Sequence, residues 1–291
     1  MNVSDVLELQ VDDLGPLRSP VMLIALTGLF DIAGAATTAL DQFAPADTAV
    51  TIGAIDPDPF YDFTQERPQV EFDDGEIRVI RWPENEFDVV RGRGARDLVV
   101  LVGVEPHLGW RTYSGCITHV ARRLGCEAVV TVGSAAEAVP HTRTPQVTGS
   151  TTDRDLARRL GIGQPTYQGV TGVVGVIQTD LAAAGIPSVS LRVGIPHYLM
   201  NAEHPQAVGA LQTHLAHVLN VDPPDQDAEF VEDVRKWRGL HDEVAGGDVQ
   251  LQMYVKMLEH DFDRRAEDAI PTADDLGAQF EDFLRDQRDD D

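Results

Sequence analysis

The stretch VMLIALTGLFDIAGAATTALDQFAPADTAVTIGAI, residues 21–55, decides the fold. Its first seven residues are apolar apart from Thr27, and a glycine follows them, so they predict a buried strand. Apolar residues recur at helical spacing from about Asp31 to Phe43, and a second strand is predicted from Thr48 to Ile55. Apolar strands separated by a helix are typical of a sheet that is covered on both faces. The stretch therefore predicts an α/β fold.

The alternation of strands and helices continues beyond residue 55. Residues 56–74 are polar and contain three prolines, so they predict a surface loop, and an antiparallel strand pair is predicted at 76–82 and 87–91. Further buried strands are predicted at 97–104, 126–132 and 188–193, and helices at 112–124, 153–160, 172–184 and 204–219. We therefore expect a three-layer α/β/α core whose sheet is mostly parallel.

The composition of the chain changes after residue 221. Residues 222–291 include 22 acidic and 8 basic residues, yet apolar residues still recur at helical spacing. Two helices are predicted, separated by Gly246 and Gly247, and a third is predicted to begin near Thr272. Amphipathic stripes of this kind argue against a disordered tail. We therefore divide the chain into an α/β core, 1–221, and an acidic helical extension, 222–291, which packs on the core or on a neighbouring subunit.

The chain is strongly acidic, with 48 acidic against 23 basic residues and a net charge of −25. Binding to phosphate backbones or anionic lipids requires clustered Lys and Arg, so this charge excludes nucleic acid and membrane as partners. No run approaches the roughly 18 apolar residues of a membrane span, and the N-terminus lacks the pattern of a secretory signal. We therefore expect a cytoplasmic protein. Lysine occurs only at Lys236 and Lys256, and this preference for arginine is typical of GC-rich genomes such as those of actinobacteria.

Four segments together resemble the proteasome assembly chaperone 2 family, and most of all its actinobacterial branch. They are ALTGLFDIAGAA (25–36), LVGVEPHLGWRTYSG (101–115), VTVGSAAEAVPHTR (130–143) and YQGVTGVVGVIQTDLAAAGIPSVSLRVGIPHYL (167–199). Each segment alone is a weak signal, and their order along the chain makes the match specific.

The resemblance implies an α/β/α fold similar to that of nucleoside phosphorylases and related hydrolases. It also implies a tendency to form homo-oligomers, for which a trimer is one expected size. Eukaryotic members of the family act as chaperones for proteasome α-rings. Chaperones and activators that dock on proteasomes typically end in a hydrophobic-Tyr-X tail, whereas this chain ends Asp289-Asp290-Asp291. We therefore expect no docking by that route.

Several polar and aromatic residues follow the ends of predicted strands. Ligands in open α/β sheets gather beyond the carboxyl ends of the strands. We therefore expect these residues to converge on one edge of the sheet, where they form a pocket or a surface for a subunit or partner. The candidates are Phe30, Asp31, Glu105, His107, Ser134, His197 and Tyr198.

The most polar of these candidates also have a structural interpretation. Glu105 and His107 can form an acid/base pair, or they can be solvated groups of a loop that caps the next helix. Asp31 either lines a pocket as a carboxylate or caps the helix that follows it. Ser134 is predicted to cap a short helical turn, because its surroundings do not match the GxSxG pattern of a nucleophile elbow.

A glycine-rich run leads into the helix predicted from residue 172. Backbone N–H groups at such a helix start, around Thr171 and Gly172, can hold a phosphate. The spacing differs from GxGxxG and no GK[ST] follows, so a tight turn that packs the helix closely on the sheet is the other interpretation. A phosphate site also needs cations, and the nearest candidates are Arg111, Arg143 and Arg192.

Four histidines, at positions 107, 141, 197 and 204, lie in loops after predicted strands. No HExxH or HxH spacing joins them, and a metal site needs three or four converging ligands. We therefore predict no metal and no cofactor, and we assign no catalytic residue.

Two functions of different classes fit these observations. The first is a non-enzymatic, oligomeric interaction protein or chaperone-like factor with an unknown protein partner. The resemblance, the lack of a complete catalytic motif and the apolar stripes of the extension favour it. The alternative is a binding protein, or a hydrolase- or phosphorylase-type enzyme, for a nucleoside-like or phosphorylated ligand held by the strand-end loops. Similarity of fold does not by itself transfer such an activity.

Overall fold

The computed structural model describes residues 1–45, 48–73, 77–225 and 227–268. The strands are β1 (Leu7–Leu9), β2 (Val21–Thr27), β3 (Ala49–Ile55), β4 (Gln69–Asp73), β5 (Ile77–Arg81), β6 (Glu86–Arg93), β7 (Arg96–Val104), β8 (Ala128–Glu137), β9 (Val147–Ser150) and β10 (Ser188–Pro196). The helices are α1 (Ala35–Phe43), α2 (Trp110–Arg123), α3 (Arg154–Leu160), α4 (Val173–Ala183), α5 (Pro205–Leu219), α6 (Ala228–Gly246) and α7 (Val249–Asp268). The helix predicted from Thr272 lies outside the described residues.

Eight strands form one mixed sheet in the order β1-β3-β6-β7-β2-β8-β10-β9. The predicted α/β class is confirmed, and the parallel pairing is confined to the four central strands, β7, β2, β8 and β10. The other neighbours are antiparallel. The distribution follows from the connections, because parallel neighbours need a long crossover whereas β6 and β7 are joined by a short turn.

The predicted antiparallel pair between residues 76–82 and 87–91 is wrong. Strand β5 pairs instead with β4, in a separate two-stranded sheet, and β6 joins the main sheet between β3 and β7. The sequence 69–73, QVEFD, lies at the end of a proline-containing polar stretch, which hides its alternation of polar and apolar residues. This segment supplies the nearer partner for β5.

Helices cover both faces of the main sheet, and β2 shows why. Its residues Leu23 and Ala25 point to the side of α1 and α5, whereas Met22, Ile24 and Leu26 point to the side of α2 and α4. A strand that is apolar at every position is stable only where both of its faces are buried. The three layers therefore follow from the continuous apolar run that opens the fold.

The chain forms two compact units. The first comprises Met1–Glu137 and Thr144–Trp237 and contains both sheets, and the second comprises Ala138–Arg143 and the chain from Arg238 onward. The boundary that composition predicts after residue 221 precedes α6, and the first half of α6 belongs to the first unit. Among the described helices, none combines the length and apolar character that a membrane span requires.

Candidate functional site

A cavity of about 960 Å³ lies at the carboxyl ends of β2 and β7. The chain leaves β2 towards α1 on one face of the sheet and leaves β7 towards α2 on the other face. Neighbouring strands whose connections diverge in this way open a crevice, and α/β proteins bind ligands in such crevices. The cavity is lined by 27–30, 104–108 and Trp110, together with Asp62, Gln65 and Glu66 and the turn 170–172.

The structure brings five of the nine sequence candidates together in this cavity. They are Phe30, Glu105, His107, Thr171 and Gly172. The residues of the loop around Asp62 complete the wall. Sequence analysis missed them, because that loop follows β3, which lies outside the central parallel strands.

Glu105 is held in place by the turn after β2. Its Oε2 atom accepts a hydrogen bond from the Leu29 N–H at 3.1 Å. Gly28 has φ +137°, and a Cβ atom there would lie 2.7 Å from the same oxygen. Glycine is therefore required at position 28, both for its backbone angle and for the close approach of the Glu105 side chain.

His107 has a partner of its own in the wall of the cavity. Its Nδ1 atom accepts a hydrogen bond from the Asp62 N–H at 3.1 Å, so the neutral ring carries its proton on Nε2. The Asp62 carboxylate accepts hydrogen bonds from Thr64 and Gln65, and these lower its pKa to about 2. Glu105 and His107 thus bind separate partners, and the wall carries an ionised carboxylate at neutral pH.

The cavity is acidic, and its mouth is apolar. Asp62, Glu66 and Glu105 line it, and none of its described lining residues is a lysine or an arginine. Leu29, Leu108 and Val170 are exposed at its rim, Val170 to 92%. We call these three side chains the apolar rim.

The helix start at Gly172 lines the cavity, and the described residues that line the cavity with it include no lysine or arginine. The candidate Arg192 pairs with Glu137 at 3.4 Å, and Arg143 pairs with Glu259 and Asp263 in the other unit. A Cβ atom at Gly172 would lie 2.5 Å from the Phe30 ring, so the glycine allows that ring to pack on the start of α4. The geometry favours the interpretation of close packing over that of a phosphate site.

Asp31 and Ser134 lie behind the cavity wall and bind the main chain. The Asp31 carboxylate accepts hydrogen bonds from the Ala36 N–H at 2.7 Å and the Thr37 hydroxyl at 2.5 Å, at the start of α1. The Ser134 hydroxyl donates to the Ile32 carbonyl at 2.7 Å. Strand β8 continues to Glu137, so Ser134 lies in the strand, and the predicted helical turn is wrong. Both side chains position the turn between β2 and α1.

The remaining candidates, His197 and Tyr198, follow β10 at the same edge of the sheet, two strands from β2. The His197 Nδ1 atom lies 3.2 Å from the Glu137 carbonyl. His204 stacks on Trp237 with ring centroids 4.1 Å apart, and His141 belongs to the other unit. Within the described residues, no group of three or more His, Cys, Asp or Glu side chains could hold a metal ion.

A network of buried hydrogen bonds lies at the end of β7, next to the cavity, and sequence analysis did not predict it. The Asn85 Oδ1 atom accepts hydrogen bonds from the Tyr113 hydroxyl at 2.8 Å and the Val104 N–H at 3.1 Å, and its Nδ2 atom donates to the Tyr61 hydroxyl. The Tyr61 hydroxyl donates to the Val104 carbonyl at 2.6 Å. Burial raises the pKa of both phenols, so both remain protonated donors. The network ties the loop before Asp62 to the end of β7.

His141 makes the stability of the second unit dependent on pH. Its side chain is 1% exposed and lies 3.3 Å from Asp242. Burial lowers the pKa of this imidazole below its ordinary value of 6.5, and His241 adds to the effect, whereas Asp242 and Glu259 oppose it. His141 therefore binds a proton more readily in the unfolded chain than in the folded chain. Its contribution leaves the free energy of unfolding unchanged above about pH 6.5 and decreases it below that pH.

We expect the free energy of unfolding to decrease between pH 7.5 and pH 5.5 by more in the wild type than in a His141→Gln variant. Urea unfolding at the two pH values measures the difference. Comparing the two decreases removes the contribution of the carboxylates, which both proteins share. Equal decreases would contradict the assignment to His141.

Comparison with known proteins adds independent information. The profile of the PAC2 family matches residues 25–245. A PAC2 family protein from Streptomyces avermitilis is 35% identical, with a TM-score of 0.73 over 81% of this chain and 99% of that chain. A proteasome-assembly chaperone homologue from Mycobacterium tuberculosis is 33% identical, with a TM-score of 0.72 over 81% of this chain and 99% of that chain. No curated protein matches the chain.

A more distant structure shares the fold. An archaeal proteasome activator from Pyrococcus furiosus is 17% identical, with a TM-score of 0.63 over 82% of this chain and 98% of that chain. Similarity at this level of identity concerns the fold alone.

Proposed function

The chain belongs to the PAC2 family, and from this membership we propose that it is a non-enzymatic, oligomeric protein-interaction factor of the chaperone type, acting in the cytoplasm. The relative from M. tuberculosis, a proteasome-assembly chaperone homologue, supports the chaperone type. In this proposal the cavity at the ends of β2 and β7 is a surface for docking protein and does not serve as a reaction chamber.

The chemistry of the cavity mouth is the observation that carries this proposal. Apolar side chains that are exposed around a cavity mark a site of protein association, because they remain in contact with water when the chain folds by itself. Interfaces combine an apolar centre with polar groups at the periphery. The cavity combines the same two kinds of group in the reverse arrangement, since the apolar rim surrounds the carboxylates of Asp62, Glu66 and Glu105. A partner segment that carries apolar and cationic side chains would fit it.

The alternative, an enzyme or sensor for a phosphorylated or nucleoside-like ligand, has less support. A phosphate in the cavity would face carboxylates, and the described lining residues offer no lysine or arginine to balance its charge. Glu105 and His107 would also have to give up their present partners, Leu29 and Asp62, to act as an acid/base pair.

Chemical crosslinking in native lysate, followed by affinity capture and mass spectrometry, tests the proposed function. We expect the wild type to capture a macromolecular partner in stoichiometric amount. A Leu29→Asp/Val170→Asp variant, which puts charges on the apolar rim, should reduce that capture at least about tenfold. The matched variant Met253→Asp changes an equally exposed apolar residue of α7 and should keep it.

The outcomes separate the two functions. Capture of the same partner by wild type and rim variant alike would contradict the role of the cavity. Recovery of the chain alone would contradict the interaction-factor proposal and would direct attention to small-molecule ligands.

A further inference from the structure

A second cavity, of about 500 Å³, lies at the amino ends of β8 and β10. Val130 and Val189 of these strands line it, together with Leu156 and Leu160 of α3. Because β2, β8 and β10 are parallel, this cavity is at the opposite edge of the sheet from the cavity at the carboxyl ends of β2 and β7. We call it the α3 cavity.

The lining of the α3 cavity is mostly apolar because α3 is short. The helix has seven residues, of which only Ala157 is buried. Leu156 and Leu160 pack against the core and remain half-buried. A ligand that covers the remaining apolar surface gains the free energy of removing that surface from water. The volume is also within the range of about 300–1,000 Å³ that is typical of small-molecule sites.

A further cavity, of about 430 Å³, adjoins the α3 cavity. The two share Leu160, His217 and Val218 as lining residues. In the adjoining cavity the apolar lining continues with Ile162 and Leu191. The two cavities together therefore fit an elongated apolar group better than a compact one.

The charged groups that line the α3 cavity differ in whether they already have partners. They are Arg96, Glu127, Asp153, Arg159 and His217. Arg96 pairs with Glu127 at 2.6 Å, and the Asp153 carboxylate caps α3 through hydrogen bonds at 2.9 Å. The Arg159 guanidinium makes no ion pair or hydrogen bond with the described residues. The cation that is left to meet a ligand is therefore Arg159, with the His217 imidazole as a further polar group.

The charge around the α3 cavity also differs from that of the whole chain. The net charge of the chain is −25, whereas α3 carries three arginines against Asp155 and its cap Asp153. At physiological ionic strength, exposed charges more than about 8 Å apart are largely screened from each other. An anion at the mouth of the α3 cavity therefore interacts mainly with the local arginines. Arginine also suits this role, because its planar fork of donors matches carboxylate and phosphate oxygens.

We propose that the α3 cavity binds a small amphiphilic anion, a carboxylate or phosphate head group on an unbranched apolar chain. The head group contacts the Arg159 guanidinium beside His217, and the chain lies along Leu156, Leu160 and Val218. This site is separate from the cavity at the ends of β2 and β7 and adds a small-molecule ligand to the proposed function.

A titration of the full chain, labelled in its leucine and valine methyl groups and followed by NMR, tests the site. The probes are octanoate, octyl phosphate and octanamide, which share a chain length and differ in the head group. We expect at least one of the two anions to shift the methyl signals of Leu156, Leu160 and Val218. Octanamide, which carries no charge, should bind at least about tenfold more weakly. The tighter of the two anions identifies the head group as carboxylate or phosphate.

Two variants of α3 separate the specific contact from the general charge of the helix. Arg159→Gln should weaken binding of the preferred anion at least about tenfold, because it removes the charged donor. Arg158→Gln is the matched control, since it removes the same charge from the same helix. Arg158 is paired with Asp155 and is not among the described residues that line the cavity, so this change should alter the affinity less than about twofold.

A third variant, Leu156→Trp, tests the apolar part of the site. The larger side chain occupies space that the ligand chain needs, so it should also reduce the affinity for the anion at least about tenfold. Circular dichroism shows whether this variant folds. If it does not, the comparison of the two arginine variants remains decisive, because both arginines are exposed and outside the core.

Three results would overturn the proposal: no binding of either anion, equal losses in the Arg159 and Arg158 variants, or shifts confined to methyl groups outside the α3 cavity. None of them bears on the proposed function, which is measured by capture of a protein partner. Conversely, recovery of the chain alone in the capture experiment would leave the anion site standing if octanoate or octyl phosphate binds as expected.

Discussion

Replacing Asn85 with alanine should lower the free energy of unfolding by about 2–5 kcal/mol. Asn85 is 1% exposed and is the shared partner of Tyr61, Tyr113 and the Val104 N–H. Alanine would leave the Tyr113 hydroxyl and the Val104 N–H without an acceptor, at about 1–3 kcal/mol for each buried group. The Tyr61 hydroxyl would keep its bond to the Val104 carbonyl.

Urea unfolding followed by circular dichroism measures this loss, and Asn201→Ala is the matched control. Asn201 is exposed, so its replacement should change stability by no more than about 0.5 kcal/mol. If the two variants were equally stable, the network would not support the fold. The same change should also weaken docking at the cavity, because Val104 is part of the cavity wall.

Replacing Asp31 with alanine should cost about 2–4 kcal/mol of stability. Its carboxylate is 7% exposed and satisfies the Ala36 N–H and the Thr37 hydroxyl, which are both buried. Without this acceptor the buried Ala36 N–H loses its partner at the helix start, and the Thr37 hydroxyl keeps only the Gly34 carbonyl, at 3.3 Å. The Asp31→Ala variant should therefore have a lower free energy of unfolding. Its binding of a partner should not be specifically affected.

Asp153→Ala is the control for Asp31, because Asp153 caps α3 in an exposed position. Its Oδ1 atom accepts hydrogen bonds from the N–H groups of Asp155 and Leu156, both at 2.9 Å. Loss of an exposed cap costs about 1 kcal/mol, so the Asp31 variant should be the less stable of the two. An Asp31 variant of wild-type stability that had lost a captured partner would instead assign Asp31 to docking.

The convergence of Phe30, Glu105 and His107 could be predicted because it depends on topology alone. Parallel strands end at the same edge of a sheet, and the apolar runs of β2 and β7 identify those strands without any knowledge of side-chain contacts. The helix predicted at 153–160 could be predicted for a similar reason, since it begins with Asp153 and a capping side chain acts on the next turn of the same helix.

The pairing of β4 with β5 and the acidic charge of the residues that line the cavity could not be predicted in the same way. Residues 69–73 become a strand because 77–81 lies opposite them, and the proline-containing stretch before them gives no sign of it. The three arginines considered for a phosphate are absent from the described cavity lining. Arg143 and Arg192 have acidic partners elsewhere, which the distance along the chain does not reveal.

The sequence by itself determined the α/β class, the family and the edge of the sheet at which the candidates lie. These properties depend on periodicity and on the order of segments, which are local or follow from chain order. Only the tertiary structure decided what each side chain does. Asn85 meets partners 24 and 28 residues away, and Glu105 binds a residue 76 positions away. Packing of the whole core selects such partners, and no pattern in a single stretch of sequence specifies them.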